Sequence, residues 1–371
     1  MIFCKDCFID SEVQDIIEGL GQIGDCPICG SHKTYIYDTE KNNDLVELFE
    51  SLIEIYTPSS ILLPSFPQKD VQLLKDEIKQ NWNIFNQEIS SANIYDILRF
   101  TCSELYSTNY KLFDEPIAIK ELQNKTYINN NCIIKNNTWD YFVNCIKHEN
   151  RFHIDCIEPK IFDEFFNLSK TYYKKGQIFY RARIALSNDH GYDKEDMSAP
   201  PKESIGNGRA NPEGIRCLYL ASDIDTAIHE VRAHIFDLVS IGKFVLKKDI
   251  TLVNLRRISN ISPFVVNDLT RYAINKSVLT KINNEIAKSV SRNDSMLAYL
   301  PTQYICGYIK SIIDKESNTK LYDGIEYSST TAPSGYNLAI FNPELFVCES
   351  VANYKIESID YNTKQQSKFL D

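Results

Sequence analysis

Four cysteines open the chain in two pairs, Cys4 with Cys7 and Cys26 with Cys29, and eighteen residues separate the pairs. Two Cys-x-x-Cys turns at this separation present four thiolates to one tetrahedral centre, the ligand set of a zinc site. Pro27 stiffens the second turn, and Gly30, directly after Cys29, supplies the backbone freedom such a turn uses. Two pairs favour a metal over a redox dithiol, and a site closed by four protein ligands is structural rather than catalytic. His32 lies just beyond and reads as a surface residue. So short a segment has little core of its own, and metal binding should supply its folding energy.

A second group of residues able to do chemistry lies in the C-terminal half. The stretch 177–183 is rich in strand formers and places Arg181 and Arg183 on one face of a strand. A loop over 187–208, rich in Gly and Pro, then delivers Gly208-Arg209-Ala210-Asn211-Pro212. Next come a strand over 217–221 containing Tyr219, a cap at Ser222 or Asp223, and a helix with apolar positions Ile224, Ala227, Ile228, Val231 and Ile235. Glu230 stands at the edge of that stripe, where a carboxylate can face a cleft while the helix packs. Further on, residues 322–329 read as a turn into a strand and 336–341 as its hairpin partner. Taken singly, each residue has an ordinary structural reading: Glu230 as an exposed acid, Arg181 and Arg209 as salt-bridge partners, Ser329 as a turn hydroxyl, Tyr219 as core.

As an ordered set they ask for a joint explanation. Tyr180-Arg181, Gly208-Arg209-x-Asn211, Tyr219-Leu220 followed by Glu230, Tyr327-x-Ser329 and Asn337-x-Ala339-x-Phe341 resemble the successive motifs of the RES domain family, named for its arginine, glutamate and serine. The resemblance covers about half the chain. It implies a fold similar to ADP-ribosyltransferases and an activity that degrades NAD+, commonly as the toxin of a bacterial toxin–antitoxin pair or a defence effector. It also implies Glu230, Arg209 and Ser329 as catalytic residues, with Arg181, Tyr219 and Asn211 binding substrate.

The chemistry suits these residue types. Breaking the bond between nicotinamide and ribose passes through a state with positive charge on C1′ and the ring oxygen, which a carboxylate such as Glu230 stabilises. Nicotinamide departs as a neutral base, so no general acid is required and one acidic residue suffices. Guanidinium groups of Arg209 and Arg181 suit a diphosphate. Tyr219 can stack on or hydrogen-bond the nicotinamide side, and Ser329 can hold a carboxamide or a ribose hydroxyl. Ser329 is not read as a nucleophile, since no histidine is placed to activate it.

Several rivals stand beside this reading. ADP-ribose transfer to a macromolecule, or to phosphate, shares the cation-stabilising machinery and differs only in the acceptor. From another class, the chain is a zinc-containing module binding nucleic acid or protein with an inactive C-terminal fold. Arg183 and His190 match a loose arginine-to-histidine spacing of helical ribonucleases, a cheap match in a segment that reads as strand and loop. His229 and His234 stand five apart on one helix, the wrong spacing for joint metal binding.

The elements that must position these groups follow from periodicity and composition. Between the cysteines and the strand-rich half the pattern is mainly helical. One helix runs from Asp44, capped with Glu47, through Leu45, Leu48, Phe49, Leu52 and Tyr56 to Pro58; a second starts near Asp70 with the stripe Val71, Leu74, Ile78, Trp82 and Phe85. Further helices are expected near 93–106, 139–148 and 160–173, with an Asn-rich break at 129–131, and a polar helical stretch at 267–293. The expected architecture is α+β: a zinc ribbon or knuckle over 1–35, a helical domain over 36–158, an ADP-ribosyltransferase-like mixed sheet, split and rich in antiparallel pairs, over 159–356, and a loose tail over 357–371. At 371 residues with a formal net charge of −10, the chain has room for two or three domains and no chain-wide basic footprint for nucleic acid or anionic membranes. Its apolar runs are too short to span a bilayer, and its cysteines outside the two pairs read as buried reduced thiols, so a cytoplasmic location is expected. The N-terminal extension leaves two expectations for control: a separate antitoxin or activating protein, or restraint of the enzyme by its own N-terminal half.

Overall fold

The computed structural model describes residues 1–135, 138–185, 190–288, 296–330, 332 and 334–359. It forms two compact units, and each is discontinuous in sequence. The first takes Met1–Phe142, Ile154–Leu168 and Arg257–Thr280; the second takes Val143–His153, Ser169–Arg256 and Lys281–Asp371. No helix among the described residues is long and apolar enough to cross a membrane.

In the first unit, strands β1 (Ile2–Cys4), β2 (Ile23–Gly24) and β3 (Thr34–Asp38) form a sheet in the order β1-β3-β2. The helix Ser11–Gly19 between the cysteine pairs starts where the Asp10 carboxylate accepts the backbone N–H of Glu12 and Val13, at 3.0 and 3.3 Å. Phe3 stacks on Tyr37, and Phe8 reaches Phe49 and Phe85, so the small module shares an aromatic core with its neighbours.

The helix Val46–Glu54 buries Phe49, Leu52 and Ile53 as its stripe requires, but its cap position is Leu45, and no side chain caps it. The Asp44 cap read from the sequence is therefore not formed. The second expected helix is shorter than its stripe. A 3-10 turn at Gln68–Asp70 and a strand precede the helix Leu74–Asn81, and Trp82 turns extended to donate its indole N–H to the Tyr56 hydroxyl at 2.6 Å. Strand pairing explains the loss: β4 (Thr57–Pro58), β5 (Gln72–Leu73) and β6 (Pro116–Ala118) make a second small sheet in the order β4-β6-β5. The Asn-rich residues 129–131 end the helix Lys125–Asn131 rather than breaking it, because Asn124 caps its start.

The second unit is built on eight strands: β7 (Lys170–Tyr173), β8 (Ile178–Ile184), β9 (Leu218–Ala221), β10 (Leu238–Leu246), β11 (Ile250–Asn254), β12 (Gly324–Ser328), β13 (Tyr336–Ile340) and β14 (Phe346–Lys355). Their order is β14-β10-β8-β9-β13-β12-β11-β7, antiparallel throughout except for β11 with β12. The expected mixed sheet is thus present. β8 meets β9 at one residue pair, Tyr180 with Ala221, whereas β8 runs beside β10 from Ile178 to Ile184. The sheet accordingly opens between β8 and β9.

Alternation divides the apolar residues between two faces. Phe179, Leu218, Leu220, Phe244, Leu338 and Ile340 pack with Met197 on one, while Ala182, Ala221, Val239 and Ile241 lie beneath Ala227 and Ile228 of the helix Ile224–Val231 on the other. That helix ends where Arg232 takes a left-handed conformation, φ 51°, so Ile235 leaves the stripe and is 41% exposed. The expected helix at 160–173 stops at Leu168, and Lys170–Tyr173 pairs with β11 instead. The polar stretch at 267–293 is helical over Leu269–Ala287, with Tyr272, Val278, Leu279 and Ile282 buried. The tail expected over 357–371 lies outside the described residues from 360 onward, as do 187–189 of the long loop and 289–293.

Candidate active site

Where β8 and β9 part lies a cavity of about 320 Å³, bordered by Arg209, Tyr219, Glu230, Tyr299, Tyr327 and Asn337 together with residues 180–182 of β8. Glu230 comes from the helix Ile224–Val231. Asp223 starts that helix by accepting the Thr226 N–H and hydroxyl, each at 2.7 Å, and the alanines beneath it allow a close approach to the sheet. The β12–β13 hairpin brings up the partners of the carboxylate. The Ser329 hydroxyl, just past β12, and the Asn337 side-chain amide in β13 both donate to Glu230 Oε1, each at 2.8 Å. Ser329 Oγ in turn accepts the Ala332 N–H at 3.1 Å. Ser329 thus donates its hydroxyl to the carboxylate and takes a backbone donor on its own oxygen.

Arg209 is presented by a tightly tied loop. Gly208 N–H donates to the Asn211 carbonyl at 2.8 Å, and the Tyr219 hydroxyl donates to Asn211 Oδ1 at 2.7 Å while accepting the Ala210 N–H at 3.0 Å. The Gln303 amide donates to the Gly208 and Asn211 carbonyls at 2.9 and 3.0 Å. A side chain at Gly208 would stand 2.5 Å from both Asn211 Oδ1 and the Tyr219 hydroxyl, so only glycine closes this loop. Burial pushes the hydroxyls of Tyr219 and Tyr327 well up from their ordinary range; at Tyr327 the nearby Arg209 charge pulls the other way and Glu230 adds to the rise.

The structure thus brings Arg209, Tyr219, Glu230 and Ser329 together. Asn211 does not border the cavity: its amide donates to the carbonyls of Gly206 and Pro212, and its oxygen holds Tyr219, which makes it a positioning residue for the arginine loop. Arg181 borders the cavity, but its Nη1 donates to the carbonyls of Met197, at 2.8 Å, and Ser198. Burial, with Arg183 adding a like charge, lowers its guanidinium to about 10. Arg183 lies over the Tyr192 ring and donates to the Asp196 carbonyl from a strand, far from a helical ribonuclease geometry. Sequence reasoning left Asn337 without a role although it stands in a quoted motif. Gln303, which ties the loop from 92 residues away, left no local signal at all.

In the first unit the sulfurs of Cys4, Cys7, Cys26 and Cys29 all lie within 4.8 Å of one another. Individual separations are 3.4 Å for Cys4–Cys29, 3.7 Å for Cys7–Cys26 and 3.9 Å for Cys4–Cys7. Four thiolates bound to zinc at its usual Zn–S length stand about 3.8 Å apart, so the donor set fits a tetrahedral zinc ion. Gly30 adopts φ 77° and returns its N–H to the Cys26 carbonyl at 3.0 Å, closing the knuckle as the sequence suggested. His32 faces Asp25 at the surface.

Residues 178–362 match the RES domain family. Among curated proteins the chain is similar to Transcription factor E of Pyrobaculum calidifontis, 40% identical over 52 residues, which are 14% of this chain. The aligned part is 29% of that relative, so the chain spans less than a third of its length. No solved structure matches the chain.

Proposed function

Because the C-terminal half of this chain belongs to the RES domain family, we propose that its second unit cleaves the bond between nicotinamide and ribose of NAD+. The observation that carries this reading is the Glu230 carboxylate, held by Ser329 and Asn337 in the same cavity as Arg209. As the C1′–N bond breaks, its electron pair passes to the nicotinamide nitrogen and positive charge develops on the ribose. Two donors on Oε1 keep the carboxylate aimed before the charge appears, so it is stabilised with little reorganisation. An acceptor oxygen then bonds to C1′ and sheds its proton. Water yields ADP-ribose, phosphate yields its 1-phosphate ester, and a side chain or base yields a modified macromolecule. Tyr219 offers its ring to the cavity, since its hydroxyl holds Asn211 and Ala210. Cys4, Cys7, Cys26 and Cys29 would hold a zinc ion that supplies folding energy to the N-terminal knuckle.

Depletion of NAD+ suits a bacterial toxin or defence effector, with an antitoxin or activating protein as partner. The 52-residue likeness to a transcription factor is the one observation favouring a nucleic-acid or protein binding module instead, and it covers 14% of the chain. Incubating the protein with NAD+, with and without phosphate, and separating nicotinamide and ADP-ribose species by chromatography tests the proposal. Nicotinamide should appear with wild type and fall by at least about a thousandfold in Glu230→Gln, with an unchanged melting curve. NAD+ that survives wild type intact, or a Glu230→Gln variant as active as wild type, would overturn the reading.

A further inference from the structure

A smaller cavity of about 150 Å³ adjoins the first, with Arg209 and Tyr299 bordering both. Its other walls carry Lys147, Glu285, Lys288, Ala298 and Thr302. Three cations therefore meet one carboxylate around a space that begins where Arg209 leaves the Glu230 cavity. Arg209 itself is steadied from the rim, with Nη1 3.5 Å from the Ile286 carbonyl. Lys147 stands upstream of the matched residues 178–362. It sits on the short π-helical turn Cys145–Glu149, which belongs to the second unit and is pinned by buried Cys145 and Ile146. Lys288 directly follows the helix Leu269–Ala287.

We propose that this annex binds the diphosphate of NAD+, with Lys147 and Lys288 completing the phosphate site that Arg209 begins; the inference rests on the reaction proposed above. NAD+ carries both phosphates on the side of the ribose away from nicotinamide. With C1′ at Glu230, the diphosphate runs past Arg209, which lines both cavities. Arginine offers a planar fork to phosphate oxygens and the lysines act as compact point charges. Without an anion the three cations repel one another, and Glu285 offsets only one of them; two phosphates relieve that repulsion. A segment that precedes the matched domain by some thirty residues, and that belongs to the same unit, supplies a substrate contact.

Titration of the full-length protein with ADP-ribose, and steady-state kinetics on NAD+, would be compared for wild type, Lys147→Ala, Lys288→Ala and the charge reversal Lys147→Glu. Each alanine variant should weaken ADP-ribose binding and raise KM for NAD+ by about tenfold with kcat nearly unchanged, and the reversal should do more. Melting curves matching wild type establish that the variants fold. Wild-type affinity and KM in both alanine variants would overturn the annex as a phosphate site, as would a wild type that does not bind ADP-ribose. The two readings fail separately: wild-type ADP-ribose binding that the variants weaken, with NAD+ left intact, overturns the reaction and supports the annex. Cleavage of NAD+ that is indifferent to both lysines does the reverse.

Discussion

Glu230 depends on two donors drawn from a different part of the chain, and both reach the same oxygen. Removing either should loosen the aim of the carboxylate without removing its charge. Ser329→Ala and Asn337→Ala are therefore expected to lower kcat by roughly 10- to 100-fold with smaller changes in KM. Because they act on one atom, the double variant should lose less than the product of the single losses. Single-turnover rates of nicotinamide release check this, and fully multiplicative losses would show that the two side chains act independently. Glu230, at the edge of an apolar stripe, and Ser329 were singled out because their motifs stand in order with the others. Asn211 was legible as a motif residue, and the structure has it tying the arginine loop away from the cavity lining: the same residue type can touch a ligand or tie a loop, and its hydrogen-bond partners are set only by the fold.

At the scale of elements, the short helix Ile224–Val231 carries the Glu230 carboxylate and depends on its cap. Partial burial pushes the Asp223 carboxyl up, but hydrogen bonds from Ser222 and Thr226 outweigh this and hold it below the usual carboxylate range. A lowered folded value means that the cap's ionised form contributes stability above the unfolded value, about 4, and that this is lost as pH falls through the folded value. Asp223→Ala should cost about 1 kcal/mol at neutral pH. Asp223→Asn should retain most of the cap while losing its share of the acid dependence. Melting temperatures followed from neutral pH down through the carboxylate range test the pair, and an Asp223→Ala variant as stable as wild type would refute the argument. The arginine loop invites a second test. Gly208→Ala forces its new methyl against Asn211 and Tyr219, so NAD+ cleavage should drop by about tenfold or more while the sheet keeps its circular dichroism.

At the scale of the whole molecule, the clearest expectation concerns the metal. Protein purified without chelator should carry about one zinc ion per chain by elemental analysis, and Cys26→Ser should lose it and melt earlier. An unaltered melt after exhaustive chelation would argue that the aromatic packing of Phe3, Phe8 and Tyr37 holds the knuckle by itself. The two units interleave along the chain, with Val143–His153 in the second and Arg257–Thr280 in the first. Linear readings of composition do not expose such exchanges, since a segment's polarity does not say which core it joins.

By itself the sequence placed four cysteines at metal-ligand spacing and marked the strand at 217–221, the helix after it and the hairpin at 322–341, while the resemblance to a family's ordered motifs singled out Glu230, Ser329 and Arg209. The cysteine spacing and the elements are local facts, written in spacing, alternation and turn residues. Tertiary structure alone decided that β8 and β9 touch at a single pair and open a cavity, that Trp82 leaves its helix for Tyr56, that Asn337 joins Ser329 on one carboxylate oxygen, and that Gln303 locks the arginine loop. Each of these joins residues distant in sequence. Their pairing is chosen by packing and hydrogen-bond satisfaction in the folded core, for which no short window of residues carries a signal.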